Sequence, residues 1–138
     1  MRDELFKWAN TPYRLAYKGR QEADRRIATG WRDWNSGLPF DVVLPGIHSV
    51  FLVPVRVDRR LDAIQCMEAI RLYAAAHGGA LPPSLEAISE APVPDDPATG
   101  KPFEYKVGDN SAALTAPLFP GAVKHPTSVL RYELKLAQ

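Results

Sequence analysis

Few residues in this chain have the types and spacing that chemistry needs. The run "ATGKPF" at residues 98–103 ends like a phosphate-binding loop, with lysine after glycine. Such a loop requires an earlier glycine and a Ser or Thr after the lysine. Here that glycine is missing and Pro102 follows Lys101, which argues against phosphate binding. His48, His77 and His125 are far apart, and none has the H-x-x-x-H spacing of a zinc site. No G-x-S-x-G turn is present to expose a nucleophilic serine. Glu68, inside the run "QCMEAIRL", reads as one half of a salt bridge with Arg71 on a helix flank rather than as a catalytic acid. Asp95 and Asp96 are the only candidates for a cation site. They are adjacent, so in an extended segment their side chains diverge. One carboxylate is then expected to cap the N–H groups of the following turn. A cation held by both is the alternative. No reaction is spelled out, so the chain is expected to carry no catalytic residue and no cofactor.

Composition sets the frame for these residues. With 138 residues, 46% hydrophobic and 24% charged, the chain is long enough for a core of its own. A net charge of +1 gives nucleic-acid binding no support. The basic run "YRLAYKGRQEADRR" has Glu22 and Asp24 interleaved with Arg25 and Arg26, which reads as a solvated helix face. The single cysteine, Cys66, cannot form an internal disulfide and sits in an apolar run, where it acts as a small buried hydrophobe. The first residues lack the apolar stretch of a signal peptide. The most apolar run, "PFDVVLPGIHSVFLVPVRV", is broken by prolines and polar residues and is not expected to span a membrane.

Periodicity predicts the elements. A short helix is expected over residues 2–9, and a second from Pro12 to about Ala28, capped by Thr11 and stopped at Gly30. "WRDWNSGLPF" reads as a loop whose Trp31 and Trp34 cover the edge of the core. Residues 44–77 form the strongest helical pattern. Leu61, Ile64, Met67, Ile70 and Tyr73 recur every three residues, with Leu72 and Ala74 widening the stripe. Pro54 favours a kinked or interrupted long helix; the other reading is a strand over 47–55 with the helix starting near Asp58. His77 is placed in the last turn, and Gly78 or Gly79 takes the left-handed cap. "LPPSLEAISEAP" predicts a short helix with Ser84 as N-cap.

After residue 100 the period becomes two. Phe103, Tyr105 and Val107 share a face, "GDNS" turns, and "AALTAP" returns. Leu130, Tyr132, Leu134 and Leu136 then alternate with Arg131, Glu133 and Lys135, as in a half-buried antiparallel strand. The expected fold class is α+β: N-terminal helices and a long helix packed on an antiparallel sheet of about three strands. We read residues 1–138 as a single domain. Residues 1–40 form a helical segment, 44–79 the long helix, and 80–138 a short helix plus the sheet.

Residues 59–117 resemble the headpiece of type II secretion pseudopilins. There a helix ends in A-x-x-x-Y-x-x-x-x-G-x-x-x-P-x-x-L, and a D-P-x-x-G-x-P-[FY]-x-Y corner leads into a small sheet. The matching residues are Ala69, Tyr73, Gly78, Pro82 and Leu85, then Asp96, Pro97, Gly100, Pro102, Phe103 and Tyr105. The same segment resembles the C-terminal part of large bacterial envelope-associated proteins. The resemblance implies a pilin-like fold and a non-catalytic structural or interaction role. It also implies an envelope or periplasmic location, a protein partner or self-association, and a membrane tether outside this chain. Pseudopilins close their last loop on calcium with clustered aspartates. The corresponding stretch "LFPGAVKHPTSV" has no carboxylate, so that site is not expected. The competing class is a ligand- or cation-binding accessory domain of a larger envelope enzyme. A further hypothesis is that the chain is the C-terminal part of a larger protein.

Overall fold

The computed structural model describes residue 8 and residues 11–32, 40–108, 111–122 and 128–135. For residues 24, 27–32 and 40–51 it describes the backbone alone. The expected helix over 2–9 (apart from Trp8), Trp34, His125 and Leu136 lie outside the described residues. Two helices, α1 (Tyr13–Arg32) and α2 (Phe40–Ala76), are followed by one 3-10 turn (Leu85–Ala87). Strands β1 (Glu104–Val107), β2 (Ser111–Ala116) and β3 (Leu130–Lys135) complete the order. They form an antiparallel meander, β1-β2-β3, so the fold is α+β. By its internal contacts the chain divides into two compact units, Met1–Val55 and Arg56–Gln138.

In the first unit, α1 starts where Pro12 offers its carbonyl to the N–H groups of Leu15 and Ala16. Proline suits this position because it loses no helical hydrogen bond there. Tyr13, Ala16 and Ala23 are buried along one side of α1, and Leu52 and Val55 of α2 are also buried. Arg14, Lys18, Glu22, Arg25 and Arg26 are exposed, and Arg26 pairs with Glu22 at 3.3 Å. Trp8 lies against Gly19, where a Cβ would run into the indole ring, and its carbonyl accepts from Arg20 Nη2 at 2.5 Å.

One expected break does not occur. α1 runs through Gly30 and Trp31 to Arg32, because glycine costs an interior helix only about 1 kcal/mol and stops it only when the backbone turns left-handed. Gly30 has no positive φ. α2 is the expected long helix, running from Phe40 to Ala76 with Pro45 and Pro54 inside it. Each proline removes one intrahelical hydrogen bond, and the helix tolerates the loss. The strand over 47–55 is therefore absent. The boundary between the two contact units falls just after Pro54.

In the second unit, α2 ends as its glycines predict. Gly78 and Gly79 have φ of 64° and 90°, and the Gly79 N–H reaches back to the Ala74 carbonyl at 2.7 Å. That six-residue bond closes a Schellman cap. His77 sits one residue past the helix. Its ring stacks on Tyr73 with centroids 3.9 Å apart, and its Nδ1 lies 3.5 Å from Glu90 Oε1. The expected short helix shrinks to the three-residue 3-10 turn, and Ser84 makes no cap bond through its side chain. The turn ends at Ile88, whose backbone is already extended. The Glu86 carboxyl is nevertheless held below its ordinary range, first by a backbone N–H and then by the Ser84 hydroxyl.

The core belongs to this unit. Ala63, Cys66, Ala69 and Ile70 of α2 join Leu85, Ile88, Phe103, Ala112, Leu114, Ala116, Leu130 and Leu134 in one buried cluster. Register aligns its rows across the sheet. Ala112 faces Val107 and Leu134, Leu114 faces Tyr105 and Tyr132, and Ala116 faces Leu130. The alternation of β2 and β3 is the expected one, because each strand buries one face only. β1 departs from it: Phe103 is buried and Tyr105 half-buried, but Val107 is exposed at the open edge.

The helical stripe is the larger correction. Ile70 is buried and Tyr73 and Met67 pack against the core, but Leu61, Ile64 and Leu72 are exposed. Successive residues of an α-helix advance by about 100°, so a strict three-residue repeat winds off any one face. The inward face follows the mixed three- and four-residue steps Arg59, Ala63, Cys66, Ile70 and Ala74.

Candidate functional site

The corner that follows the prolines is built around Asp96. Pro92 and Pro94 leave residues 92–95 without helix or strand, and Asp96 then forms an isolated antiparallel bridge with Lys101. Between them the chain turns: the Gly100 N–H donates to the Asp96 carbonyl at 2.7 Å, and Gly100 has φ of 66°. Asp96 Oδ1 accepts the Ala98 N–H at 2.9 Å, so the side chain caps its own turn with Pro97 at the apex. Pro102 is exposed, and Phe103 enters the core. Tyr105 is half-buried, and its hydroxyl donates to the Pro82 carbonyl at 3.0 Å; burial raises its pKa.

Asp96 has a partner that sequence reading missed. Arg59, 1% exposed, donates from Nε to both Asp96 oxygens at 2.9 and 3.1 Å and from Nη2 to Oδ2 at 2.7 Å. The same guanidinium reaches the Pro117 carbonyl at 2.8 Å and the Ser128 carbonyl at 2.9 Å. Its Cζ lies 4.7 Å from the centre of the Phe119 ring. One side chain on α2 thus holds the corner, the loop after β2 and the segment just before β3. A buried ion pair of this kind is tolerable only because the other donors also find acceptors. Its signal in the sequence is slight: Arg59 is four residues before Ala63 and seven before Cys66, on the inward side of α2.

The remaining candidates are not gathered with it. Asp95 is exposed and Asp96 buried, so the two carboxylates face different surroundings, and both oxygens of Asp96 are taken. Cys66 is buried, and its thiol donates to the Pro94 carbonyl at 3.4 Å. Burial first, then the charges of Asp62 and Asp95, push its pKa up to about 12, so it stays a protonated thiol at neutral pH. Glu68 and Arg71 form an exposed pair at 2.5 Å. Among the described residues no three His, Cys, Asp or Glu side chains converge as metal ligands, and no helix is long and apolar enough to cross a membrane.

The other surface feature is the outward side of α2. Val57, Leu61, Ile64 and Leu72 are 48%, 53%, 45% and 50% exposed. Steps of four, three and eight residues at about 100° each keep all four within one face. That face lies about half a turn from Arg59, Ala63, Cys66 and Ile70. None of the four belongs to the buried cluster.

In comparison with known proteins, no family model, no curated protein and no solved structure matches the chain.

Proposed function

We propose that the chain is a non-catalytic, protein-interaction domain with a pilin-like headpiece, related to pseudopilin-type proteins of the bacterial envelope or secretion apparatus. The observation that carries this reading is the division of labour on α2. Its buried charge, Arg59, is consumed in holding loops together, while four large apolar side chains face outward. Apolar side chains aligned on an exposed face mark a surface that meets another molecule. The "DPATGKPFEY" corner supports the pseudopilin relation through the residues it shares with that family's pattern. The engagement of both Asp96 oxygens weighs against a cation on the two aspartates.

Photo-crosslinking tests the reading. A photoreactive residue in place of Leu61 is expected to give a protein adduct in cells of the native host, and one in place of Glu104 is not. Loss of all adducts from positions 57, 61, 64 and 72 would remove the interaction reading. A melting temperature that rises saturably with calcium, magnesium or zinc would favour the cation-binding accessory domain, because a ligand selective for the folded state stabilises it.

A further inference from the structure

We infer that the outward face of α2 pairs with the same face of a second copy of this chain, with the two helices parallel and related by a two-fold axis. The inference rests on the interaction reading above and names its partner. Val57, Leu61, Ile64 and Leu72 extend along about 22 Å of helix, at about 1.5 Å per residue. The face lies opposite the one that joins the sheet, so two copies can meet through it with their sheets on the outside.

Charge selects the partner and its direction. Viewed down α2, Arg60 and Arg71 line one flank of the apolar strip, and Asp58 and Gln65 line the other; all four are exposed. Two parallel copies related by a two-fold axis bring unlike flanks together, so Arg60 of each copy runs beside Asp58 of the other. Antiparallel copies bring like flanks together and set arginine against arginine. Opposite charges beside an apolar seam fix orientation and register. Glu68 interrupts the strip before Leu72 and meets its own copy across a parallel seam; each Glu68 is paired with Arg71 of its own chain, which offsets that repulsion. The contact is isologous, so assembly stops at two copies.

Sedimentation equilibrium of the full chain is expected to show a monomer–dimer equilibrium with no larger species. Leu61→Glu with Ile64→Glu is expected to give a monomer whose circular dichroism matches the parent and whose melting temperature, unlike the parent's, does not rise with concentration. Oxidised Leu61→Cys is expected to form a disulfide-linked dimer by itself, since parallel pairing brings the two copies of residue 61 together; buried Cys66 does not compete. Arg60→Asp and Asp58→Arg each place like charges at both flanks and are expected to weaken the dimer roughly tenfold. An equimolar mixture of these two variants regains pairing as a heterodimer, because both flanks are then complementary. A parent chain that stays monomeric up to millimolar concentration overturns the inference, as does a dimer that survives Leu61→Glu with Ile64→Glu. If the mixture fails to pair, or Leu61→Cys links only to a Glu68→Cys copy, the parallel arrangement is wrong. Crosslinks from position 61 to a different protein, with a monomeric parent, would leave the interaction reading standing and remove the second copy. No crosslink of any kind would remove both.

Discussion

The two faces of α2 reverse the usual relation between size and burial. Its inward side beside Arg59 carries Ala63, Cys66, Ala69, Ile70 and Ala74, and its outward side carries Val57, Leu61, Ile64 and Leu72. Most of the bulk of the core comes from elsewhere: Phe103, Leu114, Leu130 and Leu134 fill the space that the small helical side chains leave. Burial depends on what a face has opposite it, and packing at near-crystalline density rewards volume that fits rather than the largest side chain. The outward face has the hydrophobicity of a core and no core to enter.

The sharpest test of the inward side is its one charge. Arg59→Ala or Asp96→Ala leaves the other partner buried and unpaired, and urea denaturation is expected to show a loss of about 3–5 kcal/mol. An apolar pair of similar volume, Arg59→Met with Asp96→Leu, is expected to recover much of that loss. If it does, the latch matters through the cost of an unpaired charge. A full loss in the double variant would show that the bonds to Pro117 and Ser128 are what hold the loops.

Size separates the faces next. Ala69→Leu adds volume where the helix meets the sheet and is expected to cost about 1–3 kcal/mol. Leu61→Lys on the outward side is expected to stay within about 0.5 kcal/mol for the isolated chain. Equal effects at both positions would erase the distinction between the faces. At the corner beyond the latch, Gly100→Ala forces a side chain into left-handed backbone and is expected to cost about 1 kcal/mol, read as a lower melting temperature.

The inward side also gives a slope in pH, confined to alkaline solution. The Cys66 thiol is raised from 9.0 to about 12, so between those values the folded chain holds a proton that the unfolded chain has lost. Stability is therefore expected to fall as pH rises through this window, since ΔG of unfolding decreases wherever the folded state binds more protons. Cys66→Ala should flatten that part of the profile, although it also opens a small cavity. The Tyr13 hydroxyl, likewise raised to about 12, by burial first and Tyr17 second, adds a slope of the same sign in the other unit. Native Cys66 should resist thiol reagents at pH 8 and react only on unfolding.

The outward strip also shows where sequence reading goes astray. Leu61, Ile64, Met67, Ile70 and Tyr73 look like one stripe because each is three residues from the next, yet that repeat turns across the helix and joins two faces. Gly30 carries the sign of a helix stop, but that sign does not decide the outcome when the flanking turns stay helical. Ser84 has the chemistry of a cap, with no helix long enough to use it. These errors share a cause. Local preference is worth about 1 kcal/mol per residue or less, except at proline, and neighbouring structure overrides it.

The sequence by itself determined whatever rests on near neighbours. The Gly78–Gly79 stop, the turn of Asp96, Pro97 and Gly100, and the alternation of β2 and β3 need only a few adjacent residues. Together they place the chain in the α+β class. Only the tertiary structure decided the role of Arg59, whose acceptors lie 37, 58 and 69 residues along the chain. It alone decided which of two apolar faces of α2 is core. The physical reason is the same for both. A charge can be buried, or a leucine left exposed, only with respect to partners that folding brings from far along the chain, and no local pattern records which partners those are.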